Sequence, residues 1–291
     1  MLYTVIPSAT DSNITDVPHP NDPSQVYKHH IRTPISPINK LFLYMPGHGG
    51  HSVEVAGDPP LHPSLLSHAE DAGYHVIGLE YMNSLGAPKC GDCSDCYYGV
   101  HSTLLYGYNH SSIVHITEAD SILNRVTKLL TYLDQHHHSE NWEQFQIAPG
   151  KPKWSQIVVA GHSFGGAQAA LIAMLYEVPR VVMFASPVDA VNVNSVVESA
   201  QWLHRPHATP IDRYFGFRHL KDDQFKAGTQ ANWTTMGMMG SPTLVDVPAT
   251  PPYASPPPHQ LTSNSITSNA HEAVVRDEAS YKQVWQYLIG A

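Results

Sequence analysis

Ser163 lies in Gly161-His162-Ser163-Phe164-Gly165-Gly166, a G-x-S-x-G pattern. A serine between two such glycines can be carried on a tight turn from strand to helix. Its hydroxyl then projects from the sheet edge, with the helix amides close behind it. That setting suits attack on a carbonyl, because a helix N-terminus favours the negative charge that develops. The flanks agree. Ser155–Ala160 (SQIVVA) is an apolar run that reads as a strand, and Ala167–Glu177 (AQAALIAMLYE) is rich in helix formers.

A nucleophilic serine also needs N–H donors aimed at the tetrahedral oxyanion. One belongs to the residue after the serine, Phe164. The other comes from a loop after an early strand, where glycines let backbone approach the substrate. Pro46-Gly47-His48-Gly49-Gly50-His51, directly after the apolar run Leu41–Met45, fits that part. His48 would act there through its main-chain N–H.

Together these segments resemble the α/β-hydrolase superfamily, and within it the serine esterases, lipases and acyl hydrolases. The resemblance runs from Leu41 to the C-terminus, and GHSFGG is its most specific part. The PGHGG loop is similar to the Pro-Gly-x form of several lipases and polyester hydrolases rather than to the HGGG form. The resemblance implies a chain order of Ser, then Asp or Glu, then His, with the histidine in a loop before the final helix. Of His204, His207, His219, His259 and His271, that order selects His271, in Ser268-Asn269-Ala270-His271-Glu272.

The implied acid follows a late strand, and Asp212–Phe217 leads into Arg218-His219-Leu220-Lys221-Asp222-Asp223-Gln224-Phe225. Asp222 is preferred because the superfamily usually carries an apolar residue three positions after its acid, and Phe225 matches. Asp223 is the second choice. Asp189, one strand earlier, is the third. The implied activity is hydrolysis of a small-molecule carboxylic ester by a Ser163–His271–Asp222 triad, through an acyl-enzyme and with no metal or organic cofactor. A lipase, thioesterase or peptidase on the same fold is one alternative. A catalytically silent binding protein that kept the fold is the other.

Cys90, Cys93 and Cys96 leave three states open: free thiols, a local disulfide, or a zinc site completed by His101 or His110.

The elements that must position these residues can be read from periodicity. Residues 1–38, rich in Pro, Ser, Asn and Asp, read as an irregular lead-in with one strand near Val26–Ile31. Residues 39–291 read as one domain. Leu41–Met45, His75–Tyr81, Ser155–Ala160, Arg180–Ser186 and Asp212–Phe217 suit strands; Pro63–Gly73, Ala119–His138, Ala167–Glu177 and Ser280–Ile289 suit helices. The alternation implies an α/β fold, with a mainly parallel sheet and helices on both faces. Insertions at about 82–118, 187–211 and 226–270 would border the site, and the six prolines within 248–258 favour a loop there.

Composition narrows the partners. At 291 residues the chain can bury a core without staples. Its 16 Lys+Arg against 25 Asp+Glu give −9 and no basic footprint for nucleic acid. No apolar run approaches the roughly 18–20 residues that span a bilayer. The N-terminus MLYTVIPSATDSNITD has neither a basic region nor an apolar run of signal-peptide kind, so a cytoplasmic protein is expected, or a secreted one if a leader is missing. Oligomeric state leaves no mark in the sequence. The twenty histidines outnumber Lys and Arg together, which predicts a net charge that changes steeply between about pH 5 and 8.

Overall fold

The computed structural model describes residues 1–51, 63–85, 90–108, 110–148, 150–246, 251, 253 and 256–290. Most of the expected proline loop at 248–258 lies outside the described residues.

Among the described residues, nine strands build the central sheet: β1 (Leu2–Val5), β2 (His29–Arg32), β3 (Leu41–Met45), β4 (His75–Gly78), β5 (Ile157–His162), β6 (Val181–Phe184), β7 (Tyr214–His219), β8 (Thr243–Leu244) and β9 (Gln260–Ser263). Their order is β1-β2-β4-β3-β5-β6-β7-β9-β8. The β1–β2 and β2–β4 pairs are antiparallel. All other pairs are parallel. The central strands are apolar at every position because both sheet faces are covered. In β3, Leu41, Leu43 and Met45 face one core, while Phe42 and Tyr44 face the other.

Helices α1 (Pro63–Asp71), α2 (Cys96–Tyr106), α3 (Ile122–His136), α4 (Phe164–Leu175), α5 (Lys226–Thr235), α6 (Ala270–Arg276) and α7 (Glu278–Ile289) supply those covers. Apolar residues of α2, α3 and α4 fill the first core; those of α1, α6 and α7 fill the second. Ser121 caps α3 by accepting from Asn124 N at 3.1 Å, which sets its start three residues after the Ala119 expected from periodicity.

The chain departs from the sequence reading in several places. Residues 1–38 are not an irregular lead-in, since β1 and β2 extend the sheet. The strand expected near Val26–Ile31 is two strands, Asp22–Val26 in a small hairpin and His29–Arg32 in the sheet. Helix α2 occupies part of the 82–118 insertion, where no helix is expected from the sequence. Its residues Tyr97, Val100, His101, Ser102, Thr103, Leu104 and Leu105 are all buried, so no amphipathic stripe marks it. Within 226–270, α5, β8 and β9 are ordered elements whose short length gives little periodic signal. The 187–211 insertion holds a hairpin, Ala190–Val193 with Val196–Ser199.

Candidate active site

Ser163 joins β5 to α4 with φ 51° and ψ −120°, outside the regions an L-residue prefers. Such backbone costs on the order of 1–3 kcal/mol and must be held by its surroundings. Here Ser163 N donates to Phe184 O at 2.9 Å, and Ser163 O accepts from Ser186 Oγ at 2.6 Å and Gly166 N at 3.0 Å. The two motif glycines are forced by packing. A Cβ on Gly165 would lie 2.1 Å from Met45 O, and one on Gly161 would lie 2.3 Å from the Gly165 carbonyl carbon. Phe164, buried, is the first residue of α4, where helix amides lack an intrahelical acceptor.

The loop after β3 lies against the serine. A Cβ on Gly47 would come within 3.2 Å of Ser163 Cβ and 3.1 Å of His162 Nδ1, a tight fit that would need these neighbours to give by a few tenths of an ångström. Gly50 N donates to Gly47 O at 2.9 Å, closing a turn that has His48 exposed at its corner. The His48 ring stands edge-on to Phe164, with centroids 6.4 Å apart.

His271 lies not in a loop but in the first turn of α6, where Asn269 is the N-cap and accepts from Glu272 N at 3.2 Å. Asp222 follows β7, and its Oδ2 is 2.7 Å from His271 Nδ1. This carboxylate is buried and engages Nδ1 of the ring, as an orienting acid would. Phe225 tilts over the imidazole at 4.7 Å. Ser163 and His271 open into one cavity of about 210 Å³, lined also by Gly47, His48, Gly50, His162, Phe225 and Glu272.

The other acid choices are placed elsewhere. Asp223 is 84% exposed and paired with Lys226. Asp189 is buried, with Oδ2 2.7 Å from His101 Nε2 and accepting from Trp202 Nε1 at 2.8 Å. Cys90 and Cys96 form a disulfide, leaving Cys93 as an exposed thiol. Of the three states open to these cysteines the local disulfide is the one found. It removes two of the three thiolates that the zinc reading needed. A larger cavity of about 560 Å³ lies by Trp154 and Tyr176, beyond the far end of α4, and holds none of the expected site residues.

His162, the variable residue before the serine, has a structural part that its motif position alone does not reveal. It is buried, its ring centroid is 4.7 Å from that of His271, and its Nε2 lies 2.9 Å from His271 O. Burial, with the neighbouring His271 adding to it, pushes its pKa down to about 3. It is therefore a neutral donor that ties the strand–helix turn to the backbone of α6. Burial does the same to His29 (about 3) and His30 (about 4) on β2, with Arg125 and Arg32 respectively adding to the effect. Between the ordinary value near 6.5 and these depressed ones, the unfolded chain takes up protons that the folded chain refuses. Stability should thus be fully present above about pH 7 and fall as pH drops from 6.5 toward 4. Thermal melts across that range test this, and a flat Tm between pH 7 and 4.5 would contradict it.

No protein-family model and no curated protein sequence matches this chain. Solved structures do. The fold is similar to that of an S-formylglutathione hydrolase from Agrobacterium tumefaciens, at 12% identity and a TM-score of 0.51, over 91% of this chain and 90% of that one. Carboxyl esterase 2 from the fungus Tuber melanosporum is also similar, at 12% identity and a TM-score of 0.46, over 99% and 86%. Likeness at such identity speaks of architecture. With its parallel sheet, covered faces and serine at the strand–helix turn, this chain has the α/β-hydrolase fold.

Proposed function

We propose that this chain is a serine hydrolase of carboxylic esters, with Ser163 as nucleophile, His271 as general base and Asp222 as the acid that orients it. The observation that carries the reading is an aspartate-bound histidine and a serine in strained backbone lining one cavity. In this scheme His271 Nε2 takes the Ser163 proton as Oγ attacks the carbonyl carbon. Asp222 stabilises the resulting imidazolium. Main-chain N–H groups of Phe164 and His48 receive the oxyanion. Collapse expels the alcohol, which takes the proton back, and leaves an acyl-enzyme. Water activated by His271 then releases the acid and restores Ser163.

A cavity of about 210 Å³ is below the roughly 300–1,000 Å³ that holds drug-sized ligands, which favours short acyl groups over long lipid chains. A panel of p-nitrophenyl acetate, butyrate and laurate, with thioester and anilide controls, tests both parts. The short esters should exceed laurate by roughly 10-fold or more in kcat/KM, as methylenes without a pocket are penalised. Laurate equal to butyrate would overturn the chain-length assignment. Preference for the anilide or the thioester would overturn the ester assignment.

A further inference from the structure

Glycine occupies three of the six positions in Pro46–His51, so the loop has few side chains by which the protein can grip it. Besides the exposed His48, its handles are backbone carbonyls and the imidazole of His51. The chain just after β4 takes hold of these. Tyr81 Oη donates to Pro46 O at 2.8 Å, and Asn83 Nδ2 donates to Gly50 O. His51 Nδ1 reaches both oxygens of Glu80, at 3.1 and 3.2 Å. Three of the four side chains from 80 to 83 therefore grip the loop at its first residue and its last two.

Glu80 is fully buried, and burial pushes its carboxyl up against the opposing pull of the His51 hydrogen bond. Its backbone is also fixed, because Glu80 N donates to His29 Nδ1 at 3.0 Å. Tyr27 stacks on the His51 ring with centroids 3.3 Å apart. A buried carboxylate is costly unless paired. An apolar side chain could fill this corner without that cost, but it could not hold His51.

We propose that Glu80, Tyr81 and Asn83 are positioning residues that fix the oxyanion-binding turn at His48, an inference that rests on the esterase reading above. Main-chain donors stabilise an oxyanion only when held at hydrogen-bond distance from where its charge develops. A glycine-rich turn without external holds would spread those donors over many positions.

The variants Tyr81→Phe, Asn83→Ala and their double test this, alongside Glu80→Leu and its conservative partner Glu80→Gln. Tyr81→Phe removes one hydroxyl and keeps the ring. Each disruptive change should lower kcat for p-nitrophenyl acetate by about 10- to 100-fold, since a misplacement of 1 Å costs roughly 10². KM should stay within about 3-fold, because the donors act on the transition state rather than on the bound ester. Affinity for phenylboronic acid, which becomes tetrahedral on a serine, should fall in step with kcat. Glu80→Gln, still able to accept from His51, should recover most of the loss. Wild-type kcat in Tyr81→Phe and Asn83→Ala, or reduced kcat with undiminished boronate affinity, would overturn the proposal. So would losses that follow Tm rather than kcat. The esterase reading is judged separately by wild-type turnover and its dependence on Ser163. A wild-type protein inert to both ester and boronate would remove that reading and the positioning role with it.

Discussion

Ser163→Ala is expected to lower kcat/KM for p-nitrophenyl acetate by about 10⁴-fold or more, with the protein still folded. The hydrogen bonds that hold the strained turn come from Ser163 backbone atoms, and alanine keeps all of them. Alanine also has the same difficulty at φ 51° as serine, so Tm should move little. What disappears is the oxygen that forms the acyl-enzyme in the proposed mechanism. Loss of about 10⁴ is on the order of 5.5 kcal/mol of transition-state stabilisation, more than a packing change at a half-buried hydroxyl could produce. The check is paired: turnover and thermal melting of the variant, and covalent labelling of wild type by a fluorophosphonate. Turnover retained in a folded, unlabelled variant would end the serine mechanism.

The second large effect separates two neighbouring carboxylates. Asp222→Asn should cost about 10³- to 10⁴-fold in kcat, because the charge proposed to stabilise the His271 imidazolium is lost while the shape is kept. Asp223→Asn should change kcat by less than about 3-fold. It breaks only an exposed pair with Lys226, of a kind worth little in water. Initial rates on the two purified variants decide the matter. Equal and mild losses would remove Asp222 from the mechanism.

Much of this arrangement could be read before any coordinates. The strand–serine–helix passage is legible because packing forces it. Gly161 and Gly165 leave no room for a side chain, and the apolar β5 and α4 announce themselves by composition. The helix around His271 was harder to see. It is seven residues long, too short for periodicity, and its one signal is the cap Asn269 with Glu272 three residues on. The parts that stayed hidden are those fixed by distant contacts. Asp222 and Asp223 are adjacent in sequence; the resemblance favours Asp222 through Phe225, but the contact itself, with a histidine 49 residues later, is set by the fold. The grip of Glu80, Tyr81 and Asn83 on the glycine loop has no local pattern, because it joins the ends of two neighbouring parallel strands. Strand β1 has no sequence signal, and β2 is read as one strand with the hairpin before it, for a related reason: each is four residues long and acquires meaning from its neighbour in the sheet.

The buried histidines also change how the molecule behaves as a buffer. A chain with twenty imidazoles looks as though it should soak up protons throughout the neutral range. Among the described residues six of them, His29, His30, His75, His162, His207 and His219, are pushed to lower values, with burial as the main cause in each. Of these, His29, His30 and His162 are lowered to between about 3 and 4 and take up no proton near neutrality. The steep change of net charge expected from composition is therefore reduced, and the negative charge of the folded molecule persists further into acid than a count of histidines implies. Electrophoretic mobility and ion-exchange retention should show this smaller change in charge.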